Sequence, residues 1–248
     1  MNRKQEYADS RSRLNVLRRT AEEVKAYRSR KRVLLAALSA LLTLTSLIFM
    51  GASLHREMGR LSISIDKADN AKYGLTLSET RDMQYATSRL NADISEKITN
   101  ISVEDLPGNL SMIDGQHSGD NYIAYTFYLE HRGTEVFDYE YKVTISEVTL
   151  GLDEAIRVRL YVEDEYEDFA KTRSDGGGAE PGTSEFYSLG VVTRDRVNGY
   201  TPQSKTKYTL VIWLEGDDPD CVDRVIDGMA KIEMNFRIII PEAQAAAE

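Results

Sequence analysis

A single cysteine, Cys221, serves all 248 residues, so no disulfide can close within the chain and its stability has to come from a packed core. Cys221 reads as a small buried apolar residue, with intermolecular thiol pairing as the alternative. Histidine is nearly as scarce. His55, His117 and His131 form no His-Glu-x-x-His or other paired-ligand set, and none offers Cys221 a recognisable general base. Gly-x-Ser-x-Gly, Walker A and dinucleotide-binding fingerprints are also missing. The expectation is a protein that is not an enzyme, with no catalytic, cofactor-binding or metal-ligating residues and no cofactor.

What is present begins with one long uncharged run, Val33 to Ser53, directly after the basic stretch Tyr27-Arg28-Ser29-Arg30-Lys31-Arg32. Its 21 residues span roughly 31 Å as a helix, the hydrocarbon thickness of a bilayer. A buried core helix would need a polar face, and this run offers only Ser and Thr. Residues 1–32 carry 11 Lys/Arg against four Asp/Glu. That +7 head predicts a cytoplasmic N-terminus, probed by anionic lipid headgroups, and an exported remainder. Leu14, Leu17, Ala21 and Val24 recur at helical spacing, so a helix continuous with the span is expected. A cleaved signal peptide is the rival reading: Gly51-Ala52-Ser53 is small enough to be cut, which would make the remainder secreted. The length of the apolar run and of its basic preface favours an uncleaved anchor.

Taking +7 from the chain's net −9 leaves −16 on residues 54–248, a charge that repels nucleic acid and excludes it as a partner of that part. The expected division is 1–32 basic cytoplasmic segment, 33–53 transmembrane signal-anchor, 54–104 juxtamembrane region with short strands, 105–240 extracellular β-sandwich, and 241–248 disordered tail.

Alternation of apolar and polar residues dominates the exported part. Leu61 to Ile65 and Tyr73 to Leu77 alternate in short runs, whereas Thr80 to Asn100 fits helix and strand equally. From Asn121 onward, Ile123, Tyr125, Phe127 and Leu129, then Tyr139, Tyr141, Val143 and Ile145, predict two antiparallel strands around His131-Arg132-Gly133-Thr134. Ile156, Val158, Leu160 and Val162 point one way, with Arg157, Arg159, Tyr161 and Glu163 as an outward charged set. Tyr208 to Leu214 and Ile232 to Ile240 repeat the pattern. Such half-apolar strands need a second sheet to cover them, so the expected fold class is all-β, a jelly-roll or Ig-like β-sandwich preceded by a single transmembrane helix. The segment Asp164 to Glu185, with Gly176-Gly177-Gly178 and Pro181-Gly182, reads as slack between strands.

Asp217 to Gly228 predicts a short helix with Asp218 at the N-cap, Pro219 at the first helical position and Gly228 after the end. The same stretch invites a second reading, because Glu215, Asp217, Asp218, Asp220 and Asp223 are hard oxygen ligands of the kind Ca²⁺ takes. Their spacing matches no calcium loop, and capping with solvated charge accounts for most of them.

Gly119 to Leu129, Gly151 to Arg159 and above all Lys207-Tyr208-Thr209-Leu210-Val211-Ile212-Trp213-Leu214-Glu215-Gly216-Asp217-Asp218-Pro219-Asp220-Cys221 resemble uncharacterised, membrane-anchored surface proteins of Gram-positive, Firmicutes-type bacteria. That set is similar in layout to the TasA and camelysin group of secreted β-sandwich proteins. The resemblance implies a cell-surface or matrix role, in which TasA-like proteins polymerise by passing a strand to a neighbour. Camelysin-like proteins have been described as metallopeptidases, whose ligands this chain lacks. The expected function is therefore a membrane-tethered extracellular β-sandwich with a structural, adhesive or matrix-assembly role. A calcium- or glycan-binding surface module is the first alternative and a surface hydrolase the second. Expected partners are the lipid bilayer through residues 33–53 and self-association or other surface proteins. Leu61 to Leu77, lying outside the main block of strands, is the candidate segment for exchange.

Overall fold

In the computed structural model the described residues are 3–57, 59–93 and 98–239, so the expected tail at 241–248 and part of the ambiguous 80–100 stretch lie outside them. Contacts divide the chain into two compact units, Met1–Arg56 and Glu57–Glu248.

The first unit is one helix, α1 (Arg3–Glu57), running without a break through the basic head and the apolar run. Its Ala- and Leu-rich stretch favours helix, and the hydroxyls of Ser39, Thr43 and Thr45 donate back to the carbonyls of Ala36, Ala40 and Leu42 at 2.9 Å. Val24–Ala52 is long and apolar enough to cross a bilayer, and none of that window is buried by the protein itself.

The second unit is built from β1 (Arg60–Ile65), α2 (Lys67–Tyr73), β2 (Leu75–Ser78), β3 (Arg89–Asp93), β4 (Asn100–Ile101), β5 (Gly115–Gln116), β6 (Tyr122–His131), β7 (Phe137–Val148), β8 (Ile156–Val162), β9 (Glu165–Ala170), β10 (Ser184–Glu185), β11 (Val191–Tyr200), β12 (Lys205–Glu215) and β13 (Ala230–Ile239). The strands form two sheets. One is five-stranded in the order β11-β7-β13-β1-β3. The other runs β10-β9-β8-β12-β6-β2, with β4 against β12 and β5 against β6. Among its described residues the unit is thus all-β but for α2 and short 3₁₀ turns.

The alternating apolar residues of both sheets meet in one core. Tyr139 of β7 and Tyr208 of β12 join their hydroxyls at 2.7 Å across it, beside Phe127 and Phe236, whose rings meet edge-on with centroids 6.0 Å apart. Both phenols are buried, so each needs the other as its hydrogen-bond partner.

Strand direction defines two ends. At the proximal end the chain enters β1, β13 and β11 begin, and β7 terminates: Arg60 pairs with Lys231, Ala230 with Val148, and Val191 with Thr144. At the distal end lie the turns after β1, β6, β8 and β11.

Several expectations are corrected here. Strands β6 and β7 are not a hairpin: β6 pairs with β12 and β2, β7 with β13 and β11. Both carry an apolar face, and the turn between them arches from one sheet to the other so that both faces reach the same core. His131 holds the arch, its Nδ1 accepting the Gly133 N–H at 3.0 Å and its Nε2 within 2.6 Å of the Glu135 carbonyl. Glycine is required at 133, because a Cβ there would sit 2.2 Å from the Tyr73 carbonyl oxygen. Tyr73 ends α2 instead of starting a strand, and part of the Asp164 to Glu185 slack is strand, β9 and β10. The expected helix at 217–228 is only a 3₁₀ turn, Asp223–Val225, since so short a segment gains little from helix formation.

The boundary expected at 104/105 does not divide the contacts, and Leu61 to Leu77 is not peripheral. Strand β1 lies inside the five-stranded sheet, parallel to β13 (Leu61 with Ile232, Ile63 with Met234) and antiparallel to β3 (Ile63 with Leu90). Leu61, Ile63 and Ile65 are all buried. At roughly 2 kcal/mol each, their burial rivals the lower part of the ~5–15 kcal/mol that holds a domain together. Deleting residues 59–66 should therefore abolish cooperative unfolding, and Ile63→Ala should cost about 2–5 kcal/mol in urea denaturation. A full-strength transition in the deletion would show β1 to be dispensable.

Candidate functional site

The outer face of the eight-stranded sheet carries the unit's polar chemistry, and it is not the solvent face that alternation alone implies. Residues 102–114 lie over it, so Leu110, Ala124, Tyr161, Val211 and Trp213 make a second, smaller apolar cluster there. Arg157 and Arg159, expected to point into solvent, do stand on this face but are buried beneath the covering loops, 3% and 9% exposed.

A buried guanidinium needs partners, and both have them. Arg159 grips Asp168 through two bonds, Nε to Oδ1 at 2.6 Å and Nη2 to Oδ2 at 2.8 Å. It also lies 4.2 Å from the Tyr166 ring centroid and 5.7 Å from that of Trp213. Arg157, at the proximal end, donates to Asp218 and comes within 3.6 Å of Glu180 Oε2. Asp220 completes a group of three acids whose oxygens fall within 4.8 Å of one another, and it accepts from Ser174 Oγ at 2.8 Å. Burial, then the charge of Asp218, holds the Glu180 carboxyl above its ordinary range despite Arg157.

The five acids weighed as calcium ligands do not converge. Glu215 accepts from Trp213 Nε1 at 2.9 Å and from the Val103 N–H at 3.2 Å, pinning the covering loop. Asp217 accepts from Ser102 Oγ at 3.1 Å, and Asp223 opens the 3₁₀ turn. Only Asp218 and Asp220 meet, and they meet Glu180 from the Asp164 to Glu185 segment. Arg157 binds Asp218 and lies 3.6 Å from Glu180, so two of the three acids serve as counter-charge to its guanidinium.

The distal part of the same face is open. Arg81, Ser111, Met112, Asp114, Tyr128, Glu163, Asp164, Lys205 and Lys207 line a cleft of about 370 Å³. Tyr128 donates to Asp114 Oδ1 at 2.7 Å, and burial together with that acceptor pushes its phenol up to about 12. Lys205 Nζ donates to the Arg81 carbonyl at 2.6 Å, and Lys207 Nζ lies 3.3 Å from Asp164. Alternating donors and carboxylates suit a polyhydroxylated ligand better than an ion of one sign. None of these residues stood out in the sequence, because they come from five separate segments.

The histidines and the cysteine stay apart from this chemistry. His131 is in the arch, His117 Nδ1 faces the Gly115 carbonyl at 2.9 Å, and His55 falls within α1. Cys221 is half-buried, its thiol pushed up by burial and by the nearby Asp218 and Glu215 carboxylates, away from the thiolate a nucleophile needs.

No protein-family model matches the chain, and no curated protein matches it by sequence. Among solved structures, it is similar to a β-glucosidase from Kluyveromyces marxianus in complex with glucose, at 14% identity over 73% of this chain and 18% of that one, TM-score 0.26. A GH31 α-xylosidase from Xanthomonas citri gives 12% identity over 70% and 16%, TM-score 0.27. TmCBM61 in complex with β-1,4-galactotriose gives 9% over 71% and 86%, TM-score 0.19. The chain spans less than a fifth of the length of the two glycosidases, and TM-scores this low carry no argument about fold or activity.

Two outcomes test the buried group. A carboxyl whose pKa is raised by folding stabilises the fold while protonated, and that contribution fades as pH rises through the folded value. Glu180→Gln should therefore raise the thermal midpoint at neutral pH and lose the advantage below the ordinary glutamate range; a lower neutral midpoint would show Arg157 to be the stronger influence. Asp218→Ala leaves Arg157 buried without its bonded partner and should cost about 3–5 kcal/mol by denaturant unfolding.

Proposed function

We propose that the chain is a single-pass membrane protein with its N-terminus in the cytoplasm, displaying an extracellular jelly-roll-like β-sandwich in a structural, adhesive or matrix-assembly role at a bacterial cell surface, without catalysis. The observation that carries this reading is the Val24–Ala52 helix, whose apolar side chains none of the described residues covers, leading within a few residues into β1, a strand paired on both sides. The charge contrast between a +7 head and a −16 remainder supports the orientation. The jelly-roll-like assignment is supported by successive crossings between the sheets, β6 to β7, β7 to β8, β10 to β11, β11 to β12 and β12 to β13. The tie to TasA- and camelysin-like surface proteins rests on the resemblance of residues 119–129, 151–159 and 207–221 alone. Protease added to intact cells should cut in the Gly176–Gly178 loop and spare residues 1–32; protection of that loop until lysis would overturn the orientation. Mass spectrometry of the membrane-bound chain should find the apolar run retained, whereas a mature terminus near Ser53 would make it a secreted protein.

The distal cleft favours a second reading, a glycan-binding surface module. Calorimetric titration with a glycan panel should then find a ligand whose affinity falls several-fold in Lys205→Ala and Tyr128→Phe. Silence across the panel would remove this reading and leave the structural one.

A further inference from the structure

Three tight turns at the proximal end of the five-stranded sheet share an unusual feature. Each is closed by a backbone hydrogen bond, Leu152 N–H to Thr149 O at 3.1 Å, Val191 N–H to Ser188 O at 3.0 Å, and Gly228 N–H to Val225 O at 2.9 Å. Each places a bulky aliphatic residue at the first of its two central positions: Leu150, Leu189 and Ile226. Those side chains are 51%, 89% and 62% exposed. Turn tips ordinarily take Gly, Pro, Asn, Asp or Ser. Leu150 is the plainest case, since its φ of +57° is a left-handed conformation that an aliphatic side chain disfavours. Neither backbone preference nor core packing accounts for leucine there.

The three turns sit side by side where the chain enters the unit. Gly190 accepts from the Ile145 N–H at 2.8 Å, near the end of β7; Thr149 and Met229 exchange bonds at 2.9 and 2.8 Å; and the Gly59 N–H donates to Ala230 O at 3.1 Å. The row therefore runs along the ends of β11, β7 and β13 to the first residue before β1.

Chain length then identifies what this row faces. From Ala52, the last residue of the apolar window, to Gly59 the chain advances seven residues, helical as far as Glu57. At ~1.5 Å per helical residue and ~3.4 Å per extended one, that is at most about 15 Å, of which the lipid headgroup layer takes up roughly 5–7 Å. Whatever angle the helix adopts, the proximal end cannot leave the neighbourhood of the bilayer surface. Arg224, whose guanidinium lies about 3.5 Å from where a Cβ on Gly151 would project, covers the Leu150 turn and can reach phosphate while the aliphatic tip goes deeper. Asp223 and Asp227 stand on the same loop as Ile226, so lipid charge pulls both ways and the apolar tips carry the contact.

The geometry points to a lipid-docking surface: Leu150, Leu189 and Ile226 seat the proximal end of the β-sheet unit in the headgroup region of the bilayer that α1 crosses. This inference rests on the reading of α1 as a bilayer span. It fixes which end of the unit faces the membrane and turns the distal cleft outward.

The test uses the full chain in phosphatidylcholine nanodiscs, one chain per disc, which removes lipid charge and other copies as explanations. In a Cys221→Ser background, spin labels are placed at Leu150→Cys, Leu189→Cys and Ile226→Cys, with Val136→Cys at the distal end and Leu42→Cys in α1 as references. Power saturation with oxygen and a water-soluble nickel chelate then reads depth. The three tip labels should show an oxygen-to-nickel accessibility ratio several-fold above that at Val136 and below that at Leu42. Tip labels as open to nickel as Val136, with Leu42 in hydrocarbon, would overturn the docking surface and leave the span intact. A Leu42 label open to nickel would overturn both.

Discussion

The parallel pairing of β1 with β13 is the constraint on which the β-sheet unit depends. It brings the first strand after α1 and the last described strand together inside one sheet, and it leaves β1 flanked on both sides, by β13 and by β3. Parallel neighbours require a connection that travels to the opposite end, and here that connection is nearly the whole unit. The core cannot close until residues some 170 positions apart in sequence have met, as the Leu61–Ile232 pair requires. Segments that the sequence places at the margin are for this reason at the centre, and the two-sheet body cannot be trimmed from the N-terminal side without opening the face that Ile232, Met234 and Phe236 close.

A second constraint follows from the covering of part of the outer face of the eight-stranded sheet in addition to its core face. Once residues 102–114 lie over its outer side, every charge there must be compensated locally, since a buried ion without a partner costs several kcal/mol. The arrangement meets that demand with acids drawn from elsewhere: Asp168 for Arg159, and Asp218 and Glu180 for Arg157. The acidic stretch 215–220 is thus tied to the sheet and to its cover. Glu215 holds Trp213 and Val103, and Asp217 holds Ser102. Carboxylates that capping and solvation explained in sequence also provide the counter-charge and fastening of a buried arginine face.

What was legible in the sequence is what period-two alternation and a long apolar run encode. Ile123 to Leu129, Tyr139 to Ile145, Ile156 to Leu160, Tyr208 to Leu214 and Ile232 to Ile238 are all strands with their alternating apolar residues in the core, Val162 packs against it, Ile240 lies outside the described residues, and the helix over 33–53 lies within α1. What failed depended on partners distant in sequence. Alternation says which side of a strand is apolar, not which strand lies beside it, so the arch between β6 and β7 reads like a hairpin. It cannot show that a loop returns to bury the polar side, so Arg157 and Arg159 read as solvated. Capping residues at 218 and 219 do act locally, the Asp218 carboxylate receiving the Asp220 N–H at 2.8 Å as an N-cap does while its other oxygen binds Arg157, but a cap by itself does not propagate so short a segment into a helix. The distal cleft had no local signal at all, being assembled from strand ends and turns.

The way the chain enters the sheets also bears on what this unit would withstand if α1 anchors it. A chain that enters through an edge strand can be peeled away one hydrogen bond at a time. Here the chain enters through β1, bonded along both flanks, so tension drawn from the Gly59 end along the strand loads two ladders in shear and must break many bonds together. The side chains resist in the same direction: withdrawing Ile63 drags a buried residue past Leu90 and Met234, and the dense packing of such a core leaves no vacant path for it. On the reading of α1 as an anchor, the strand that receives the tether is also one whose buried residues close the core, and attachment and folding stability then rest on the same contacts.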